Sequence, residues 1–341
     1  MSDAARVLVR TPNWLGDAVM ALPAIGAVRQ AFHDRTLIVA APAAIAPLFQ
    51  EGTAAAPDEI VALDGDREPA QLRGARADAI VLLPNSFGSA WIAKRARIPE
   101  RWGYGGGGRG ILLTRSIARP RGRVHQVEYY AALTRGLGFA AADAVPRLEP
   151  SPLSRARAAA LLNDAGFDSE VLVGFAPGAA YGHAKRWPPA RVAETIVRLA
   201  ALGASAVLVG AAADRDTGRA IESSLPPRAR VLNLIGRTSL RDLAGVIGRC
   251  AAFVSNDSGA MHMAAALGVP LTAIFGPTDE RVTAPAANAD VILRNVFCRP
   301  CMLRECPIDH RCMKRIDVES VLQSVAAHLP GGRRPDAGAR A

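Results

Sequence analysis

Aromatic side chains make up only 5% of this 341-residue chain, and cysteine occupies only five positions. Platforms for stacking nucleic-acid bases are therefore sparse. No stretch approaches the ~18 uninterrupted apolar residues of a membrane-spanning helix, so no such helix is expected. The opening MSDAARVLVRTPNW has none of the long apolar segment of a signal peptide. The expectation is a cytosolic protein whose surface could still dock on a membrane. No G-x-x-x-x-G-K-[ST] occurs, which excludes P-loop phosphate chemistry. Long runs of one charge are absent too. The 41 Lys and Arg against 31 Asp and Glu give a net charge of +10, but the arginines are scattered. A basic surface suits nucleic acid, anionic lipid or a phosphorylated substrate. The scatter and the few aromatics argue against nucleic acid.

What is present is bulk and repetition. Half the residues are hydrophobic, enough for a large core, and the length suits two domains of roughly 150 residues each. The chain alternates short apolar runs with helical patterns, the mark of open parallel α/β sheets. Strands are expected at 6–10, 36–41, 60–63 and 78–84, then at 171–175, 205–210, 230–234, 251–255 and 271–275. Helices are expected at 18–32, with Pro23 bending it or marking a boundary, and at 90–96, 126–137, 155–165, 190–202, 240–248 and 317–329. The proline-rich 146–152 reads as a linker. The expected domains are 1–165 and 166–329, with 330–341 disordered.

Residues 254–268, VSNDSGAMHMAAALG, are the centre of the second half. A strand runs into Asn256-Asp257-Ser258-Gly259 and then into a small-residue helix. Free amides and the helix dipole at such an end attract an anion. Ser258 and His262, four apart, share a face of that helix; Asp257 and Ser258 are equally ordinary N-caps. Three other strand tips belong to the same carboxyl edge. The loop 177–186 carries Lys185 and Arg186, the tip 211–216 carries Asp214 and Asp216, and 236–238 ends in Thr238. Either aspartate could meet ribose hydroxyls or cap the helix that follows. Together the four tips form the ligand crevice of a doubly wound sheet and argue for a nucleotide diphosphate.

In the first half, Asp17 stands at the loop–helix junction of TPNWLGD, where it is either an N-cap or a general base. Asn85 and Ser86 cap a helix or touch a sugar. Gly103, Gly105 and Gly108 satisfy G-x-G-x-x-G, but without a strand before them and a helix after them they read as a mobile loop made basic by Arg101, Arg109 and Arg115. Cys250 stands alone near a helix end. Cys298, Cys301, Cys306 and Cys312, spaced C-x2-C-x4-C-x5-C, suit a structural zinc or reduced thiols.

On these residues the chain resembles glycosyltransferase family 9, the ADP-heptose:lipopolysaccharide heptosyltransferases, over roughly 5–330. The carriers are PNWLGD (12–17), LPNSF (83–87), PGA (177–179) with AKRWP (184–188), NDSG (256–259) with His262, and Gly276-Pro277. The PNSF and AKRWP segments favour the family's second type over its first. The resemblance implies a GT-B fold, two Rossmann-like domains facing across a cleft, and an inverting, metal-independent transfer with no cofactor. It makes Asp17 the base and Lys185 a catalytic cation on the phosphates. It also implies ADP-heptose at Ala180, Tyr181, Lys185, Asp214, Thr238, Asp257, Ser258, Gly259 and His262, with Asp257 touching the heptose or orienting Lys185. The acceptor, a lipid A–inner core already carrying one heptose, would meet Trp14, Asn85, Ser86, Arg101 and Arg109. The D-x-D at Asp64-Gly65-Asp66 reads as a loop coincidence. The alternatives are a first-type transferase, another GT-B sugar enzyme such as an epimerase, and a non-catalytic binder of a sugar nucleotide or anionic lipid.

Overall fold

The computed structural model describes residues 5–140, 145–285 and 289–329; the 330–341 tail expected to be disordered lies outside them. The chain forms two compact units, Met1–Ser151 and Pro152–Ala341.

The first unit contains β1 (Arg6–Arg10), β2 (Thr36–Pro42), β3 (Gly52–Thr53), β4 (Glu59–Leu63), β5 (Ala79–Leu82), β6 (Glu100–Tyr104), β7 (Arg115–Ile117) and β8 (Leu148–Glu149). Its helices are α1 (Leu15–Met20), α2 (Leu22–Ala31), α3 (Glu68–Gly74), α4 (Phe87–Arg95) and α5 (Gln126–Gly136). Six strands make one sheet, ordered β4-β2-β1-β5-β6-β7, and every pair in it is parallel. Val7, Leu8, Val9, Ile38 and Ile80 are wholly buried, as a sheet covered on both faces requires. Counted along the chain, the strand order is 3-2-1-4-5-6, that of a doubly wound dinucleotide-type sheet. Its direction reverses between β1 and β5, which is where such sheets bind ligands.

The second unit repeats this order. It has β9 (Val171–Ala176), β10 (Ala204–Leu208), β11 (Val231–Asn233), β12 (Ala252–Asn256), β13 (Leu271–Phe275) and β14 (Ala289–Leu293). The sheet runs β11-β10-β9-β12-β13-β14, again parallel throughout, with its switch point between β9 and β12. The helices are α6 (Pro152–Asp164), α7 (Pro189–Ala200), α8 (Arg215–Glu222), α9 (Leu240–Gly248), α10 (Gly259–Ala266), α11 (Glu280–Thr283), α12 (Arg311–Lys314) and α13 (Val318–Ala326).

The division falls after Ser151, not after 165 as the sequence suggests. The reason is helix packing. A methyl at Gly245 of α9 would come within 2.2 Å of the Ser154 carbonyl of α6, so the two helices cross at near-backbone contact. Arg157 of α6 also pairs with Asp242 of α9 at 2.9 Å. On the other side of the division, β8 pairs with β3 and the Ser151 amide donates to Glu51 at 2.6 Å. Two further differences concern the first unit. The helix expected at 18–32 is two helices broken at Ala21, with Pro23 in the opening turn of the second, where a missing N–H costs nothing. A strand, β6, does precede the glycine run, but a 3-10 turn at Arg109–Leu112 follows it. The dinucleotide fingerprint fails on the helix alone.

Candidate functional site

In the second unit the two loops that flank the β9/β12 switch point are bolted together by Asn256, the last residue of β12. This side chain is 2% exposed. Its Nδ2 donates to the Pro177 carbonyl at 2.7 Å, and its Oδ1 accepts from the Trp187 amide at 3.2 Å. One buried amide thus fixes both ends of the loop 177–187. Sequence reading saw Asn256 only as part of a turn.

That loop delivers Lys185. Its Nζ lies 2.6 Å from Asp257 Oδ2 and 4.7 Å from the centre of the Tyr181 ring. The same carboxylate oxygen accepts from Thr278 Oγ1 at 2.7 Å. Asp257 and Thr278 are both buried, so the ammonium is held by a carboxylate that cannot swing into solvent. Of the two roles expected of Asp257, orienting Lys185 is the one these bonds support. Thr278 escaped the sequence reading because its partner is 21 residues away, and only the adjacency of β12 and β13 brings them together.

Ser258 follows as the N-cap of α10, accepting from the Met261 amide. The first helical amides, Gly259 among them, have no partner inside the helix. His262 is buried one turn further on. The cation and this helix end therefore rise from neighbouring loops at one edge of the sheet, an arrangement suited to an anion. Ala180 is exposed and Tyr181 half-buried on the Lys185 loop; Thr238 is half-buried on the loop before α9. Asp214 stands at the N-cap position of α8. Its carboxylate pairs with Arg186 at 3.0 Å and accepts from the Ala211 amide at 3.2 Å, so it is committed to the protein. Asp216 pairs with Arg219 on the surface.

A further support lies in the segment 299–304. Arg299, nearly buried, donates to the carbonyls of Gly276 and Thr278 at 2.8 and 3.1 Å and pairs with Glu280. The Ala184 amide donates to the Arg304 carbonyl at 3.0 Å, and the Arg304 guanidinium lies 5.0 Å from the Tyr181 ring centre. A methyl at Gly182 would meet that Arg304 carbonyl at 2.3 Å, so this close approach requires glycine. The cysteine-bearing segment is thus a brace for the Lys185 and Thr278 loops. Among the described residues no group of three or more His, Cys, Asp or Glu could hold a metal ion, so the expected structural zinc has no support. All four cysteines are free thiols, and burial pushes the Cys312 thiol up. Cys312 is drawn into α12 and the core, and Cys298, Cys301 and Cys306 lie close enough to add to the rise of its thiol.

In the first unit Asp17, in the first turn of α1, and Asn85, on the loop after β5, stand beside the β1/β5 switch point. Asp17 is the third residue of α1, whose N-cap is Trp14, so it is not a cap. Tyr130 donates to Asp17 Oδ1 at 3.4 Å. Burial, and then the negative charge of Asp17, push the Tyr130 hydroxyl well above its usual range, which keeps it a donor. Asn85 Nδ2 donates to the Tyr129 hydroxyl at 2.9 Å. Ser86 caps α4 by accepting from the Ser89 amide at 3.1 Å. Trp14 is 54% exposed.

Two arginines expected at an acceptor are placed otherwise. Arg101 lies near the start of β6, at the opposite end of the sheet from Asp17 and Asn85, and its guanidinium donates to the carbonyls of Ile98, Pro99 and Leu112. Arg109 is wholly buried with Nη1 on the Pro84 carbonyl at 2.7 Å; burial and the nearby Arg119 lower its affinity for its proton. It supports the 84–86 turn from beneath.

The model of glycosyltransferase family 9 (heptosyltransferase) matches residues 69–311. Lipopolysaccharide heptosyltransferase 2 of Salmonella typhimurium is 36% identical over 305 residues, covering 85% of this chain and 88% of that protein. The structure of E. coli ADP-heptose lps heptosyltransferase II superposes with a TM-score of 0.79 at 31% identity, covering 94% of this chain and 98% of that one. E. coli heptosyltransferase WaaC with ADP-2-deoxy-2-fluoro heptose shares the fold, with a TM-score of 0.69 at 20% identity over 93% and 98% of the two chains. With two parallel-sheet units of the GT-B kind and these matches, the chain belongs to glycosyltransferase family 9, the heptosyltransferases.

Proposed function

We propose that this protein is a second-type heptosyltransferase: it moves heptose from ADP-heptose to the first heptose of a lipopolysaccharide inner core, without a catalytic metal and with inversion at the anomeric carbon. The observation that carries the reading is the 36% identity to a lipopolysaccharide heptosyltransferase 2 over 88% of that protein's length. The donor is supported by a family-fold neighbour holding an ADP-heptose analogue.

Asp17 takes the proton from an acceptor hydroxyl as that oxygen bonds to the anomeric carbon and the bond to the diphosphate breaks. Tyr130, donating to Oδ1, orients the carboxylate. The leaving ADP carries the developing charge. Lys185, fixed by Asp257 and Thr278, meets it together with the amides of Ser258 and Gly259 at the start of α10, and such preorganised groups stabilise charge without reorganising. Ala180, Tyr181, Thr238 and His262 complete the donor cradle, with Asp214 acting through Arg186. Trp14, Asn85 and Ser86 receive the acceptor. The enzyme works peripherally at the cytoplasmic face of the inner membrane.

The test is ADP release from ADP-heptose with lipid A–core acceptors carrying no heptose or one. Turnover on the singly heptosylated acceptor is expected. Activity confined to the unheptosylated one would refute the second-type assignment. Asp17→Asn should lower kcat by about 10²–10⁴-fold, the span of a general base, with ADP binding retained.

A further inference from the structure

Helix α4 turns two different faces outward and inward. Ser89, Ala90 and Ala93 are buried, and Ala90 and Ala93 pack with Leu82 and Leu112 in the core of the first unit. The opposite face carries Phe87, Trp91, Lys94 and Arg95, a spacing of i, i+4, i+7 and i+8 that keeps all four on one side. All are exposed, Phe87 at 49% and Trp91 at 45%. In a chain with only four tryptophans, one stands uncovered on this helix. Beside α4 lies the 3-10 turn Arg109–Leu112, which leaves Ile111 84% exposed.

Around the carboxyl ends of α3 and α4 the exposed charges are basic, while the exposed Asp64 and Asp66 stand before the opposite, amino end of α3. Arg73 lies in the last turn of α3, which packs on α4, and Arg76 in the turn after it; Lys94 and Arg95 close α4, and Arg97 follows. All five are exposed. Among the described residues none of them forms an ion pair, and the one side-chain hydrogen bond they make is Arg73 Nη2 to the Arg95 carbonyl at 2.8 Å. The nearby acids face their own unit. Asp78 accepts from the amides of Ala5 and Arg6, Glu100 accepts from Trp102 Nε1, and Glu68 is held by Arg10.

We infer that this α4 face is the surface by which the protein docks on an anionic phospholipid bilayer. Exposed aromatics with Lys and Arg on one helical face are what an interfacial helix presents to lipid, with Trp suited to the headgroup level and each cation attracted to the surface potential. Charge complementarity selects anionic lipid over a second copy of this basic face, which would repel itself. The inference rests on the proposed reaction at a lipid-borne acceptor, and it names the contact that reaction leaves open.

The test is co-sedimentation of the full chain with phosphatidylcholine vesicles, with and without phosphatidylglycerol. Binding is expected only with phosphatidylglycerol and should weaken at high salt. Lys94→Gln with Arg95→Gln should lower partitioning on the order of tenfold or more, and Trp91→Ala should lower it as well. Both variants should keep wild-type thermal unfolding and wild-type turnover on a deacylated, water-soluble acceptor. Binding equal on both vesicle types, binding unchanged in the variants, or self-association abolished by Trp91→Ala without vesicle binding would each overturn the inference. Loss of turnover by the wild type on every heptosylated acceptor would instead refute the proposed reaction and leave the vesicle result standing.

Discussion

Lys185 is placed by a carboxylate that is itself held. Because Asp257 is 7% exposed and receives both Lys185 and Thr278, neither charge can be removed alone without leaving the other stranded in a poorly solvated place. Breaking a buried pair from one side costs roughly 3–5 kcal/mol. Lys185→Met should therefore both destabilise the fold by a few kcal/mol in denaturant titrations and lower kcat by about 10²–10³-fold, as removal of a leaving-charge stabiliser does. Lys185→Met with Asp257→Leu should recover most of the stability and none of the turnover, and recovery of both would show that Lys185 is structural. Thr278→Val probes the same network more gently. It removes one donor to a carboxylate, worth about 1.5–3 kcal/mol, and frees Asp257 to turn. The expected result is a several-fold higher KM for ADP-heptose with stability lowered by no more than that amount; an unchanged KM would remove Thr278 from the donor machinery.

At the scale of elements, α13 shows how a helix end responds to pH. Asp317 is its N-cap: the Ser320 amide donates to Oδ1 at 2.7 Å, and this bond, with Ser320 Oγ and Arg294, holds the carboxyl far below its ordinary 3.8. A depressed folded value means the charged form stabilises the native state. That contribution is full above the unfolded value near 3.8 and fades as pH falls through the folded value. Asp317→Ala should cost about 1 kcal/mol at neutral pH, and the gap to wild type in thermal melts should narrow only in strongly acidic buffer. A gap constant with pH would point to packing instead.

The elements themselves were largely legible. Leu240–Gly248 and Leu271–Phe275 are bounded as the periodicity predicts, because capping Ser239 and the glycines that end such runs are local signals. Among the elements that escaped were the edge strands β7 and β14, β6, ERWGY, whose glycine and charges mask a strand that is buried only from Trp102 onward, and α3, whose polar EPAQLRG packs through little more than Leu72. The candidate site divides in the same way. Strand-tip residues such as Lys185 and Asp257 announce themselves by position, while Asn256, Thr278 and Arg299 act through partners that only the sheet order brings near. Arg101 and Arg109 misled because a basic residue beside a glycine run has no sequence mark for being turned inward.

At the scale of the molecule, one strand order is used twice, and each unit carries its own buried core. A ligand that binds the native form of one unit stabilises that unit. ADP at about a hundredfold over its Kd stabilises its unit by about 2.7 kcal/mol, which is roughly 5–10 °C for a domain of this size. Scanning calorimetry should then resolve two transitions, of which ADP moves one. Gly245→Val lies in the second unit, where its added carbons meet the Ser154 carbonyl and Ala158; the helices must part, and overpacking of this kind costs about 1–3 kcal/mol. It should lower the ADP-sensitive transition. Leu8→Ala empties a wholly buried position in the first unit, costs about 2–5 kcal/mol, and should lower the other. Should ADP shift the transition that Leu8→Ala lowers and spare the one that Gly245→Val lowers, the nucleotide belongs to the first unit and the assignment of the donor to the β9/β12 switch point fails.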